Sequence, residues 1–246
     1  MPIPRILALG RFHSRDLVTT TSESNRKINP LIEDQIENTW EAKVKRVNEQ
    51  GKIIYNGLFY RLNSLKEENE KLFLDFGTID YKTSDSLINI PEYFELPEPF
   101  YRKGCYTAAT VKTSDDRYLM VELSGKSLNE NTIDQLGGVM ETDPRNETGD
   151  DVFQSLYKEL EEEGHITEKD IQSAFLRAVF VARRTNVAFY FEVILNVSSD
   201  DLLARFESMK KDIDIKSLKS LSRQEYIDIL LDHNANKQLM AQILSI

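Results

Sequence analysis

Along the second half of the chain, apolar residues recur either at every second position, as in a strand, or about every 3.6 positions, as in a helix. These patterns predict strands and helices in alternation. Apolar or alternating runs predict strands at 104–113, 118–123, 175–181 and 187–197. Helical spacing predicts helices at 151–166, 198–208 and 222–231, and a short helix at the end of the chain. The predicted order is therefore two strands, an acidic helix, two strands and further helices.

The first half of the chain mixes the same signals. Strands are predicted at 5–11, 53–62 and 72–76, the last two joined by the charged connection 66–71. The polar stretch 14–29 predicts a loop. Asn29 and Pro30 are typical of a helix start, so we predict a helix at 31–47.

A cluster of prolines suggests where the chain divides. Pro91, Pro97 and Pro99 lie among acidic residues, a composition typical of a linker. We therefore place a domain boundary near Pro99. It separates an N-terminal α+β region, residues 1–99, from a second domain, residues 100–246.

Composition narrows the classes of function. The net charge of −10 disfavours binding to nucleic acid by charge alone. An acidic protein that binds phosphates needs metal ions between its own negative charges and those of the phosphates. One cysteine excludes an intramolecular disulfide framework, and three scattered histidines disfavour a zinc site. No apolar run reaches the length of a membrane span, and the N-terminus lacks a signal-peptide core. We expect a cytoplasmic protein with no membrane partner, and the oligomeric state stays open.

The predicted acidic helix carries the candidate chemistry. Glu159, Glu162 and Glu163 are spaced i, i+3 and i+4, so a helix makes them near neighbours that repel unless a cation or solvent separates them. Glu163 projects onto the edge of an apolar stripe, whereas Glu161 points to solvent. Hard cations prefer such oxygen ligands. The alternative is a solvated acidic face, which explains most runs of Glu.

The segment before the helix favours the metal-binding interpretation, because the two together resemble the Nudix box. The matching residues are Gly138, Glu141, Glu159, Leu160, Glu162, Glu163 and Ile166. Asp150 takes the place of the first Glu of the pattern, after a longer loop. Lys158 replaces an Arg whose bidentate contact Lys cannot copy, and His165 replaces the last Gly.

This resemblance implies a Nudix α/β/α sandwich with a mixed sheet, and hydrolysis of a nucleoside diphosphate linked to another moiety. It implies Mg²⁺ or Mn²⁺ held by Glu159, Glu162, Glu163 and the Gly138 carbonyl, with one carboxylate as a base. Further acidic candidates for a ligand from a distant loop are Glu192, Glu207, Asp212 and Asp214. Arg183 and Arg184 are predicted to contact the phosphates, although a solvated pair of arginines is the alternative.

The N-terminal half resembles the Nudix type that hydrolyses UDP-glucose and UDP-galactose. The resemblance lies in Trp40-Glu-Ala, Asn56-Gly-x-x-Tyr60-Arg-Leu and Phe76-Gly-Thr-x-Asp80-Tyr-Lys. It implies a UDP-sugar substrate, and ordinary core packing is the alternative explanation of Trp40. Two other functions stay open: hydrolysis of ADP-ribose, a dinucleotide or NADH, and nucleotide binding without cleavage.

Overall fold

The computed structural model describes residues 4–124, 132–142, 152–209, 215–232 and 234–245. The strands are β1 (Arg5–Phe12), β2 (Leu17–Thr21), β3 (Leu58–Glu68), β4 (Lys71–Asp80), β5 (Cys105–Lys112), β6 (Tyr118–Leu123), β7 (Ile133–Asp134), β8 (Ile171–Val181), β9 (Val187–Leu195) and β10 (Ile215–Leu221). The helices are α1 (Pro30–Glu49), α2 (Tyr81–Leu87), α3 (Val152–Gly164), α4 (Ser199–Ser208), α5 (Arg223–Leu231) and α6 (Ala235–Ile243).

The main sheet lies between two layers of helices. Its strands follow the order β1-β8-β9-β5-β6-β10, with β7 paired to β6, and only β5 and β9 run parallel along that path. Side chains of β9 alternate between two cores. Phe191 packs with residues of α3 and α4, whereas Tyr190 packs with residues of α5 and α6. The predicted α+β class, with a mixed sheet between helices, is confirmed.

A second, smaller sheet covers part of the face that carries α3. Its order is β2-β4-β3, and β2 runs parallel to β4. Phe76 of β4 lies 5.9 Å from Phe189 of β9, measured between ring centroids, so the two sheets share one core. The Tyr60 amide of β3 donates to the Met140 carbonyl at 2.8 Å. The small sheet therefore also braces the segment that leads toward α3.

The division of the chain at Pro99 stays a prediction, but β1 does not follow it. This strand lies within the first 99 residues, yet it pairs antiparallel with β8 in the main sheet, with Arg5 opposite Val181. The proline cluster forms two 3-10 turns, and Tyr93 in the first of them is fully buried. The first and second halves are thus joined by a shared sheet as well as by the predicted linker.

Several element predictions need correction. The predicted loop 14–29 contains β2, and α2, β7 and β10 were not predicted. The charged connection 66–71 is mostly strand, because β3 and β4 continue to a tight turn at Asn69 and Glu70. Both turn residues have positive φ, 52° and 62°, as a two-residue hairpin turn requires. No helix in the described ranges combines the length and apolar character needed to cross a membrane.

Candidate functional site

Helix α3 forms because its apolar residues recur on one face. Val152, Phe153, Leu156 and Leu160 are at most 2% exposed, which confirms the predicted stripe. The Phe153 ring meets Phe191 of the main sheet edge-on, at 5.0 Å between centroids. This packing fixes the rotation of the helix and therefore the direction of its carboxylates.

The carboxylates of α3 differ in their exposure as the helical period requires. Glu159 and Glu163 are partly buried, whereas Glu161 and Glu162 are exposed. Glu161 was predicted to point to solvent, and this is confirmed. Glu162 lies at the solvent-facing margin of the group.

Two glycines before α3 contact two of these carboxylates directly. The Gly137 amide donates to Glu163 Oε2 at 2.8 Å. A Cβ added to Gly138 would lie 2.5 Å from the Glu159 carboxylate, so that carboxylate packs against the backbone of Gly138. Gly137 has φ +141°, a backbone conformation that residues other than glycine rarely adopt. The fold thus brings together Gly138, Glu159 and Glu163, although Gly138 is far from the two glutamates in the sequence.

Strand β5 holds the other side of this glycine segment. The Thr107 amide donates to the Gly138 carbonyl at 2.8 Å, and the Ala109 amide donates to the Leu136 carbonyl at 2.9 Å. The Gly138 carbonyl, predicted as a metal ligand, therefore already accepts one hydrogen bond. Its second lone pair is the one through which it would contact a cation.

The donor chemistry of this site fits a hard divalent cation, although the ligands are not gathered around one point. In the described part of the chain, no group of three His, Cys, Asp or Glu side chains is close enough to form a ready metal cage. Glu159, Glu162 and Glu163 nevertheless share a helix face beside a backbone carbonyl, and Mg²⁺ accepts such oxygen ligands together with water. Asp150 lies outside the described residues.

Lys158 does not reproduce a bidentate clamp. Its Nζ lies 3.5 Å from Glu141 Oε2, and both side chains are more than half exposed. Burial lowers the pKa of Lys158. The negative charges of Glu162, Glu141 and Glu159 together raise the pKa by more than burial lowers it, so the pKa lies above its ordinary value. Lys158 therefore balances the charge of the acidic group without fixing the orientation of one carboxylate.

His165 adopts the conformation for which the Nudix pattern has glycine. Its φ is +52°, in the left-handed region, and its amide donates to the Glu161 carbonyl at 3.0 Å. Arg205 of α4 donates to the His165 carbonyl at 3.0 Å and to Asp170 Oδ2 at 2.6 Å. The end of α3 is therefore tied to α4 despite the missing glycine.

The Asp170–Arg205 pair predicts a pH-dependent stability. The hydrogen bond from Arg205 lowers the pKa of Asp170 from 3.8 to about 2. Asp170→Asn is expected to reduce the free energy of unfolding by about 2 kcal/mol at pH 7. Because the pKa is lowered in the folded state, this contribution is present above pH 4 and is lost as pH falls toward 2. Urea unfolding at several pH values measures it, and an equal difference between the two proteins at every pH would contradict the pairing.

Among the proposed additional ligands, Glu192 faces the wrong way. Its neighbours Phe191 and Val193 point into the core beneath α3, so alternation along β9 directs Glu192 to the opposite face. There it pairs with Arg177 at 2.6 Å. Glu207, at the end of α4, is exposed and stays a candidate. Asp212 and Asp214 lie outside the described residues.

A cavity of about 480 Å³ brings the predicted arginines to the same place as Gly138. Arg183 and Arg184 lie in the turn between β8 and β9, are exposed, and line this cavity together with Gly138 and Val139. The remaining lining residues are Arg102, Tyr106, Ala182, Asn186, Asn234 and Asn236. Sequence reasoning missed Arg102 and the asparagines, because they come from separate segments with no shared motif.

The turn that carries the two arginines is strained and firmly held. Thr185 has φ +67°, which is rare for a β-branched residue, and it is fully buried. Its hydroxyl shares a hydrogen bond with the Tyr93 hydroxyl at 2.5 Å. The Lys103 amide donates to the Thr185 carbonyl at 3.2 Å. Strain of this kind often marks functional loops, since the surrounding structure must maintain it.

Comparison with known proteins gives only distant similarity. No family model matches the chain, and no curated protein matches it. The Ap4A hydrolase of C. elegans is 16% identical over 57% of this chain and 92% of its own, with a TM-score of 0.40. A NUDIX hydrolase from Nitrosomonas europaea is 19% identical over 58% and 86%, with a TM-score of 0.38. The NUDIX domain of Shewanella oneidensis NrtR, solved with ADP ribose, is 12% identical over 63% and 95%, with a TM-score of 0.41.

Proposed function

We propose that the chain is a Nudix-type hydrolase that cleaves a nucleoside diphosphate linked to another moiety. The observation that carries this proposal is the contact of Glu159 and Glu163 with the backbone of Gly138 and Gly137. It joins the two ends of the segment that resembles the Nudix box, although they are far apart in the sequence. The arginine-lined cavity borders the same glycine segment, where a diphosphate would lie.

Each residue of the site has a role in this proposal. Glu159, Glu162 and Glu163 would hold Mg²⁺ or Mn²⁺, which when bound neutralises phosphate charge and acidifies water. One of these carboxylates accepts the proton of the attacking water. The bond between the attacked phosphorus and the bridging oxygen then breaks. Arg183 and Arg184 donate to phosphate oxygens and balance the developing charge.

A UDP-sugar is the substrate we propose to test first, and nucleoside monophosphate and sugar phosphate would be its products. The support for it lies in the N-terminal sequence resemblance. The residues of that resemblance make contacts with one another: Asn56 donates to Asp80 at 2.9 Å, and Trp40 meets Tyr81 edge-on at 5.9 Å. Asp80 also caps α2 by accepting from the Thr83 amide at 2.9 Å. These contacts also fit the alternative of ordinary packing for Trp40.

A substrate panel tests the proposed function. UDP-glucose, ADP-ribose and a dinucleoside polyphosphate are incubated with Mg²⁺, and phosphate is measured after secondary phosphatase treatment. We expect release from UDP-glucose to exceed release from the other two. Greater release from ADP-ribose or the dinucleotide would transfer the proposal to that substrate. Nucleotide binding without any release would favour the binding-protein alternative, which the altered positions Lys158 and His165 motivate.

A further inference from the structure

Arg102 is a buried arginine whose charge has no bonded carboxylate among the described residues. Its side chain donates to the Arg184 carbonyl at 3.1 Å, to the Ser84 carbonyl at 2.7 Å and to the Ser84 hydroxyl at 3.3 Å, all neutral acceptors. The residue is only 7% exposed. Burial lowers the pKa of Arg102 to about 10, so it is still charged at neutral pH.

A carboxylate whose charge acts on Arg102 is already paired with another residue. Asp85 is the carboxylate whose charge acts on Arg102, but it is paired with Lys43 at 2.7 Å. Within the described ranges, no acidic side chain lies within ion-pair distance of Arg102, and its Nη2 finds no acceptor. A buried cation in this state favours the arrival of an anion, because an unpaired charge is costly away from water.

The position of Arg102 shows where such an anion would bind. Arg102 lines the cavity of about 480 Å³ together with Arg183 and Arg184, and no lining residue in the described part of the chain is acidic. Three arginines thus line one concave space. Guanidinium is the side-chain group best suited to paired hydrogen bonds with phosphate oxygens.

The walls of the cavity are fixed before any anion binds. Tyr93 accepts a hydrogen bond from the Arg102 amide at 2.8 Å and also holds the strained residue Thr185. On the other wall, Asn236 accepts from the Arg183 amide at 2.8 Å. Because Arg183 and Thr185, the two neighbours of Arg184, are already held by hydrogen bonds, binding of an anion costs little conformational entropy in this turn.

Three asparagines, Asn186, Asn234 and Asn236, line the same space. The Asn186 Oδ1 is buried and has no hydrogen-bond partner among the described residues, so it is not itself exposed to the cavity. Amide groups can both donate and accept hydrogen bonds, so they suit a neutral polar group better than a second anion. The volume also exceeds what a single phosphate fills.

We propose that this cavity binds an organic phosphate and that Arg102 is its buried cationic contact. The phosphate lies against Arg102, Arg183 and Arg184, and its organic group lies toward the asparagines. The inference deepens the proposed function, on which it rests for the identity of the substrate as a nucleoside diphosphate derivative. Binding of the phosphate itself requires no metal ion, which makes it separable from hydrolysis.

Calorimetry of the full chain in EDTA, at constant ionic strength, tests this inference. The probes are uridine monophosphate, inorganic pyrophosphate and uridine. We expect uridine monophosphate to bind, uridine to bind at least about tenfold more weakly, and the Arg183→Ala/Arg184→Ala variant to weaken uridine monophosphate about tenfold or more. Arg102→Lys keeps the charge and removes the paired donors, so it is also expected to weaken binding. The control is Arg15→Ala, at a side chain that is 81% exposed.

Each outcome decides between the two proposals. Equal affinity of wild type and the Arg183→Ala/Arg184→Ala variant would overturn the inference, as would tighter binding of uridine than of uridine monophosphate. Tighter binding of pyrophosphate than of uridine monophosphate would overturn the organic-phosphate assignment. If Arg102→Lys fails to fold, the double variant at exposed positions decides. Metal-free binding without hydrolysis of any substrate supports the inference and rejects the proposed enzyme. Hydrolysis with an unchanged KM in the double variant rejects the inference and the phosphate contacts of Arg183 and Arg184, but leaves the proposed hydrolysis intact.

Discussion

Glu163→Gln is expected to lower kcat about a hundredfold or more while KM changes little. A carboxylate that holds a metal or accepts a proton acts mainly in the transition state, so its loss affects the chemical step more than substrate binding. The substitution preserves structure, because the Gln side-chain oxygen can still accept from the Gly137 amide, as Glu163 Oε2 does at 2.8 Å. Initial-rate kinetics on the best substrate of the panel measures both constants.

Glu161→Gln is the matched control for this prediction. It removes the same charge from the same helix, but Glu161 is exposed and lies away from Gly137 and Gly138. We expect its kcat to stay within about twofold of wild type, since a distant exposed charge is screened. Similar losses in the two variants would favour the solvated acidic face. Unchanged kcat in Glu163→Gln would remove that residue from the mechanism.

Gly138→Ala is expected to lower kcat/KM about a hundredfold with little effect on stability. The added methyl group would lie 2.5 Å from the Glu159 carboxylate, so that carboxylate must move. The contact involves the end of a flexible side chain, and the free energy of unfolding should therefore change little. A displacement near 1 Å at a reacting centre is enough for about a hundredfold loss.

Gly57→Ala provides the control for an added methyl group. Apart from its two chain neighbours, no described residue has a heavy atom within 4 Å of the Cβ position at Gly57. Both variants are compared by thermal unfolding and by kinetics. A Gly138→Ala protein with wild-type kcat/KM would show that the position of Glu159 against Gly138 is irrelevant to catalysis. A large fall in melting temperature would show that the contact is structural.

The helical part of the site could be predicted because its signals are local. The stripe of Val152, Leu156 and Leu160 follows from the helical period, and the same period separates Glu161 from Glu163. The strands of the main sheet on either side were also predictable from apolar runs. These features depend on residues close together in sequence.

The remaining features depend on contacts that no local pattern records. β10 alternates weakly in polarity, and its identity as a strand comes from pairing with β6. Arg102 belongs to the cavity because Tyr93 and the turn at Thr185 bring it beside Arg184. The sequence does not distinguish Glu192 from the other acidic candidates. The alternation of side chains along β9 places Glu192 on the face of the sheet away from α3. His165 keeps its left-handed conformation because Arg205 donates to its carbonyl and so holds the end of α3.

The central claim is that Glu159, Glu162 and Glu163 together bind a divalent cation. Its most direct test is titration of bound Mn²⁺ by electron paramagnetic resonance in wild type, in the Glu159→Gln/Glu162→Gln/Glu163→Gln variant and in Glu161→Gln. We predict saturable Mn²⁺ binding in wild type and Glu161→Gln, and its loss in the triple variant, because removal of three oxygen anions removes the charge that holds the ion. Equal Mn²⁺ binding in all three proteins would contradict the claim and place the metal elsewhere.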